Sequence, residues 1–362
     1  MMELTPPHGG QLRQIAKRFG VPGTCLLDLS ANINPEGPPS SVITALHQAL
    51  KEPSILASYP DLDEIELRQV LASYAGVRLE NVAVANGFVP LLEAALRILP
   101  IRRCLVPVPA FVGYRKTLER SQVEMVTQLL AAESDFRLEI ERLFDKASDA
   151  LLLANPQNPS AVLSSRDALL RIVERAAELK VYVLLDEAFI DFCPESSLSQ
   201  EIDRFPNLIV FRSVTKFFGM AGLRVAYAVA SEETCKQLQG AVAPWSITSL
   251  ASLAAGTALQ NEDYAQRTIA LNRARRDTLH AAIRQIGIPV YPSAANFLLL
   301  HFPETIDCEQ LWERLICAHH IVLRNCSNYE GLSGGHLRTA IRTDGENDRL
   351  LEALTFEVHN RQ

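Results

Sequence analysis

Phe211-Arg212-Ser213-Val214-Thr215-Lys216-Phe217-Phe218-Gly219-Met220-Ala221-Gly222-Leu223-Arg224 is the stretch whose reading decides the fold. The apolar run Leu208-Ile209-Val210-Phe211 leads into it, and Val225-Ala226-Tyr227-Ala228-Val229 leads out. Runs of this kind are buried strands, so the polar residues between them belong to a loop. The loop offers a hydroxyl (Ser213), an amine (Lys216) and a guanidinium (Arg224) to one small anionic ligand. Gly219 and Gly222 let its backbone bend towards that ligand. Most lysines are solvated surface charges. One set among apolar residues is partly desolvated, which lowers its pKa and makes it a nucleophile towards an aldehyde.

Outward from this loop, four more apolar runs end on turn or polar residues. Val82-Ala83-Val84-Ala85 turns through Asn86-Gly87-Phe88 into a helix over 89–99. A strand, a glycine turn and a helix start make an anion site, because unpaired backbone N–H groups and the helix dipole both favour phosphate. Cys104-Leu105-Val106-Pro107-Val108 runs to Phe111, and Ala150-Leu151-Leu152-Leu153-Ala154 runs into Asn155-Pro156-Gln157-Asn158-Pro159. Val181-Tyr182-Val183-Leu184-Leu185 ends on Asp186. A carboxylate at the end of such a strand is costly unless a cation pairs with it. The alternation of strands and helices from about residue 80 to 230 predicts an α/β protein with a mainly parallel sheet covered on both faces. Helices are expected over 11–19, 40–50, 62–74, 139–146, 164–179 and 263–286. After Gly287, strands over 294–300, 321–324 and 336–342 alternate with helices over 308–319 and 346–358. Arg338 and Arg342 stand four apart, so on one strand both would point to the same face.

The spacing of Ser213, Lys216, Gly219, Gly222 and Arg224 resembles the Schiff-base loop of fold-type I pyridoxal-phosphate enzymes, in the aminotransferase class that includes histidinol-phosphate aminotransferase. The resemblance covers nearly the whole chain. It implies pyridoxal 5'-phosphate as cofactor, with Lys216 carrying it and Ser213 and Arg224 holding its phosphate. Asn86, Gly87 and Phe88 would form the rest of the phosphate site. Asp186 would pair with the pyridinium nitrogen, Phe111 stack on the ring and Asn158 bond its 3'-oxygen. The Tyr59 of Tyr59-Pro60-Asp61 would reach the phosphate of a partner subunit in a homodimer. A large cofactor domain over 45–270 and a small closing domain from 1–44 and 271–362 follow from the same resemblance.

An early His8-Gly9-Gly10 paired with Ser30-Ala31-Asn32-Ile33-Asn34-Pro35 resembles the threonine-phosphate decarboxylases of cobamide biosynthesis in particular. Phe189, where most related aminotransferases have tyrosine, leans the same way. By this resemblance the substrate is a small phosphorylated amino acid, bound by His8, Asn32, Asn158, Arg324, Arg338 and Arg342. Arg338 would take its carboxylate and Arg324 its phosphate, although the two roles could overlap. The reaction expected first is decarboxylation of threonine phosphate, and the second is histidinol-phosphate transamination. Ala85, Pro90, Ser160 and Phe189 depart from the family pattern, which motivates a third reading as a ligand sensor without catalysis. Retention of Lys216, Asp186 and Arg224 weighs against the sensor.

Composition narrows the partners. The 362 residues carry a net charge of −7 without a basic block, which argues against nucleic acid or anionic membrane as the main partner. The N-terminus lacks the basic start and apolar core of a signal peptide, and no apolar run approaches the roughly 20 residues of a bilayer span. Seven scattered cysteines with no Cys-x-x-Cys pair suit reduced thiols in a cytoplasmic protein. The eight histidines fall into no zinc-like spacing, so no metal is expected.

Overall fold

In the computed structural model, residues 8–332 and 334–359 are described. Their twelve strands are β1 (Leu27–Asp28), β2 (Val82–Ala85), β3 (Arg103–Val108), β4 (Glu124–Leu129), β5 (Ala150–Ala154) and β6 (Tyr182–Asp186). The others are β7 (Leu208–Ser213), β8 (Ala226–Val229), β9 (Phe297–His301), β10 (Ile321–Val322), β11 (Arg324–Asn325) and β12 (His336–Ala340). Seven of them form one sheet in the order β2-β8-β7-β6-β5-β3-β4. Every pairing from β7 to β4 is parallel, whereas β8 runs antiparallel to both neighbours.

Period-two burial explains why the runs became central strands. Leu151 and Leu153 join the apolar cluster on one face of the sheet, while Leu152 joins the cluster on the other. Val82 and Val84 divide from Ala83 and Ala85 in the same way. Buried on both faces, such strands need no polar side chain until they end. Polar residues therefore appear at strand ends, which is where ligands bind in open parallel sheets.

A third apolar cluster joins the helix Leu12–Phe19, β1, β9, β10, the helix Cys308–Cys317 and the helix Asp344–His359. Within it β1 pairs parallel with β10, and β11-β12-β9 form a separate antiparallel sheet. The helix Glu262–Gln285 links the clusters: Tyr264 packs in the sheet core, Leu279 and Ile283 in the third cluster. A domain division at 270/271 thus falls inside one continuous helix.

Two expected elements differ. The segment 139–146 forms only a 3-10 turn, Glu141–Phe144. With Leu143 as its one buried residue it has too little apolar surface to offset the cost of nucleating a helix. The run 321–324 divides at Leu323, so that Val322 and Arg324 serve different sheets. Among the described residues no helix is long and apolar enough to cross a membrane.

Candidate active site

The C-terminal ends of the parallel strands converge on one cavity of about 410 Å³. Gly87 and Phe88 reach it from β2, Phe111 from β3, Asn158 from β5, Asp186 from β6, and Ser213 and Lys216 from β7. Because β8 runs the other way, Arg224 arrives at the same edge just before that strand begins. His8, Asn32, Arg324, Tyr329 and Arg338, from outside the seven-stranded sheet, complete the lining on another wall.

Two of these residues carry the electrostatics. Asp186 is buried; its Oδ2 accepts a hydrogen bond from the Tyr114 hydroxyl at 2.6 Å and its Oδ1 accepts from the Ala188 N–H at 2.9 Å. Burial raises its pKa, while those two donors and the Lys216 charge pull it back. The carboxylate is held ready for a cation. Lys216 Nζ lies 3.1 Å from Thr215 Oγ1, which in turn sits 2.7 Å from Ser213 Oγ. The lysine is pushed down to about 8, chiefly by burial; Asp186 opposes the shift and Arg224 adds to it. Such an amine is neutral far more often near neutral pH than an ordinary lysine, and its charged form can still give up a proton there.

The residues fit pyridoxal 5'-phosphate. Gly87 has φ +101°, and a Cβ there would lie 2.8 Å from Arg224 Nη2, so the bare backbone leaves room for that guanidinium. The helix Phe88–Ile98 starts without any side chain capping it, leaving its first N–H groups for an anion. Phe111 lies half-buried on the cavity wall, with Tyr114 edge-on at 5.5 Å and His8 at 5.9 Å. A phosphate site and a ring-sized apolar wall, with an amine and a buried carboxylate beside them, form the set that this cofactor needs.

On the other wall, β11 and β12 pair with Arg324 directly across from Arg338. Both are buried, at 3% and 5% exposure. Arg338 donates to Asn158 Oδ1 at 2.6 Å, to the Ser30 carbonyl at 3.1 Å and to the Tyr329 hydroxyl at 3.4 Å, all neutral acceptors. Its Nε is without a partner, as is Asn32 Oδ1 nearby. Arg324 donates to Asn328 Oδ1 at 2.7 Å and lies over the Tyr329 ring. Like charges directly opposite on a ladder repel, and an anion between them would offset that.

Three expected site residues stand elsewhere. Arg342 lies beyond the end of β12, where its guanidinium binds Glu346 at 3.1 Å instead of sharing a strand face with Arg338. The strand stops at Ala340, so the four-residue spacing no longer counts in strand steps. Asn86 is exposed and absent from the cavity lining; it is the middle residue of a tight turn in which the Gly87 N–H donates to the Ala85 carbonyl at 2.7 Å. Tyr59 is 81% exposed and stacks at 4.8 Å on Trp245, outside this cavity. Conversely, Thr215, Tyr114 and Tyr329 contact the key groups and were not singled out from the sequence. Only Tyr114 had a signal there: an aromatic one helical turn beyond Phe111.

The depressed lysine predicts a pH-dependent stability cost in the cofactor-free protein. Between about 8 and the ordinary 10.5 the unfolded chain binds a proton that the folded chain does not. Stability therefore rises with pH across that window, and the full cost applies below it. Lys216→Met should raise the melting temperature by a few degrees at pH 7, and the gain should shrink as the pH approaches 10. A gain that is absent, or that grows with pH, contradicts a buried, depressed amine.

Comparison with known proteins agrees with this geometry. The family model "Aminotransferase class I and II" matches residues 24–354. A threonine-phosphate decarboxylase of Salmonella typhimurium is 35% identical over 96% of this chain and 95% of its own length. A histidinol-phosphate aminotransferase of Archaeoglobus fulgidus is 31% identical over 91% and 92% respectively. The fold is shared with histidinol-phosphate aminotransferase from Sinorhizobium meliloti in complex with pyridoxal-5'-phosphate (TM-score 0.87, 21% identity, 100% of this chain and 99% of that one).

Proposed function

The chain belongs to the aminotransferase class I and II family, and from that premise we propose that it decarboxylates L-threonine O-3-phosphate to (R)-1-amino-2-propanol phosphate and carbon dioxide. It is an enzyme, and its cofactor is pyridoxal 5'-phosphate. One observation carries the choice of reaction: Arg324 and Arg338 stand in register, both buried, on the lining of the cavity that also holds Lys216. Two guanidiniums suit a substrate with two anionic groups, a phosphate and a carboxylate. Histidinol phosphate has only the first. The 35% identity to a decarboxylase supports the same reading, while the 31% identity to an aminotransferase keeps transamination as the second.

Bound pyridoxal phosphate supplies an electron sink for whichever bond breaks at the substrate Cα. The chain's own residues do the rest. Lys216 binds the cofactor covalently, Asp186 keeps its ring nitrogen protonated, and Ser213, Arg224, Gly87 and Phe88 hold its phosphate. Phe111 covers the ring face. Arg338 grips the substrate carboxylate and so orients the scissile bond rather than only anchoring the molecule. Arg324, with His8 and Asn32, takes the substrate phosphate. A proton must then replace the lost carboxyl group, and the Lys216 amine, pushed down to about 8, can supply one near neutral pH. The working unit is proposed to be a cytoplasmic homodimer in which the exposed Tyr59 reaches the partner's cofactor phosphate. The pathway is that of cobalamin biosynthesis.

Phosphate recognition is tested by comparing threonine phosphate with threonine. Without the phosphate, the charge-assisted bonds that Arg324, His8 and Asn32 would make to it are lost, so kcat/KM should fall roughly 10³-fold or more. Equal turnover of the two amino acids would rule out a phosphate-binding wall.

A further inference from the structure

The segment Ser30-Ala31-Asn32-Ile33-Asn34-Pro35 carries two asparagines, and the structure separates them. Asn32 lines the cavity with its Oδ1 unpartnered. Asn34 is 6% exposed, and its bonds run to the loop that carries the reactive lysine. Its backbone N–H donates to the Lys216 carbonyl at 3.0 Å, and its Nδ2 donates to the next carbonyl, Phe217 O, at 2.8 Å. Nδ2 also donates to the Tyr264 hydroxyl at 2.8 Å, and Oδ1 accepts from the Glu36 N–H at 3.1 Å. The Tyr264 hydroxyl passes its own proton to the Gly37 carbonyl at 2.5 Å. The two loops also interlock: Gly219 has φ +64°, and a Cβ there would come within 2.6 Å of the Gly37 carbonyl carbon.

We propose that Asn34, held by Tyr264, is the positioning residue that fixes Lys216 for chemistry. This rests on Lys216 being the lysine that bears the cofactor. The Lys216 carbonyl is tied to the Asn34 backbone and the Phe217 carbonyl to the Asn34 side chain, so the lysine stem leaves a fixed backbone, while Thr215 Oγ1 receives its Nζ. Without the Asn34 amide the Phe217 carbonyl loses its donor, and the loop must shift to satisfy it. A shift of that kind moves the amine relative to its cofactor, which costs rate rather than substrate affinity.

The test uses the holoenzyme, Asn34→Ala and Tyr264→Phe. Borohydride labelling of the wild type comes first: a label away from Lys216 defeats the functional reading itself. With the label on Lys216, visible absorbance is titrated against pH, and kcat and KM are measured. In Asn34→Ala the pH midpoint of the lysine-bound cofactor should move by about half a unit or more. Its kcat should fall roughly 10- to 100-fold while KM stays within about threefold. Tyr264→Phe should move both readings in the same direction by less. A purely structural role would lower the melting temperature and leave the midpoint alone. Should Asn34→Ala fail to fold, Tyr264→Phe decides, because it removes only the hydroxyl and keeps the ring stacked on Phe218. An unchanged midpoint and kcat, or a loss confined to KM, overturns the proposal while leaving the reading of Lys216 intact.

Discussion

Lys216→Ala should lower turnover by on the order of 10⁵-fold or more, the largest loss expected of any single substitution here. The reason is that this side chain is asked to do two jobs. It binds the cofactor through its amine, and it supplies a proton after the bond at Cα has broken. Among the described residues no other lysine lines the cavity, so none is positioned to substitute. The variant should still take up pyridoxal phosphate through Ser213, Arg224 and the start of the helix Phe88–Ile98. Borohydride should then no longer fix the cofactor to the protein, whereas in the wild type it should be fixed on the peptide containing Lys216. Residual turnover within tenfold of wild type, or a label on another lysine, would show that the loop between β7 and β8 does not carry the chemistry.

Arg338→Lys should be the second most damaging change, lowering kcat/KM by roughly 10³-fold despite preserving the charge. Arg338 reaches Asn158, Ser30 and Tyr329 at once through a planar fork, and lysine has one donor head for all of them. The substituted ammonium could meet a carboxylate but could not hold it in one orientation. The loss should appear mainly in kcat, since the carboxylate is the group that leaves. Arg324→Ala provides the contrast. It should raise KM for threonine phosphate and collapse the preference over unphosphorylated threonine, because its proposed task is the phosphate. If the two variants exchange these signatures, the roles of the arginines are reversed; if neither affects kcat/KM, this wall does not bind substrate.

Much of the site was legible in the sequence because of one physical regularity. A strand buried on both faces admits no polar side chain, so the first polar residues after each run mark the sheet edge where ligands bind. Asp186, Ser213 and Lys216 stand out that way, whereas the roles of Phe111 and Asn158 come from the family resemblance. The alternation of strands and helices likewise exposed the mainly parallel sheet, although not the reversal of β8. What stayed hidden is non-local. The arginine pair is Arg324 with Arg338, set by antiparallel register between β11 and β12. The spacing offers instead Arg338 with Arg342, four residues apart on an assumed strand, and only the family resemblance names Arg324 beside Arg338. Only the break at Leu323, with β10 leaving for β1, puts Arg324 opposite Arg338. Tyr114 was hidden because its hydroxyl reaches Asp186 across 72 positions of chain. Asn34 is hidden in the same way, because its bonds run to the lysine loop 183 positions away.

The most direct measurement of the central claim is product identification with two substrates offered separately to the same preparation. One is threonine phosphate with no added keto acid; the other is histidinol phosphate with 2-oxoglutarate. Carbon dioxide is trapped and the amine or glutamate formed is determined. The account predicts stoichiometric carbon dioxide and aminopropanol phosphate from the first mixture, and no glutamate from the second. Glutamate from histidinol phosphate, with threonine phosphate left intact, would contradict it and make this chain an aminotransferase.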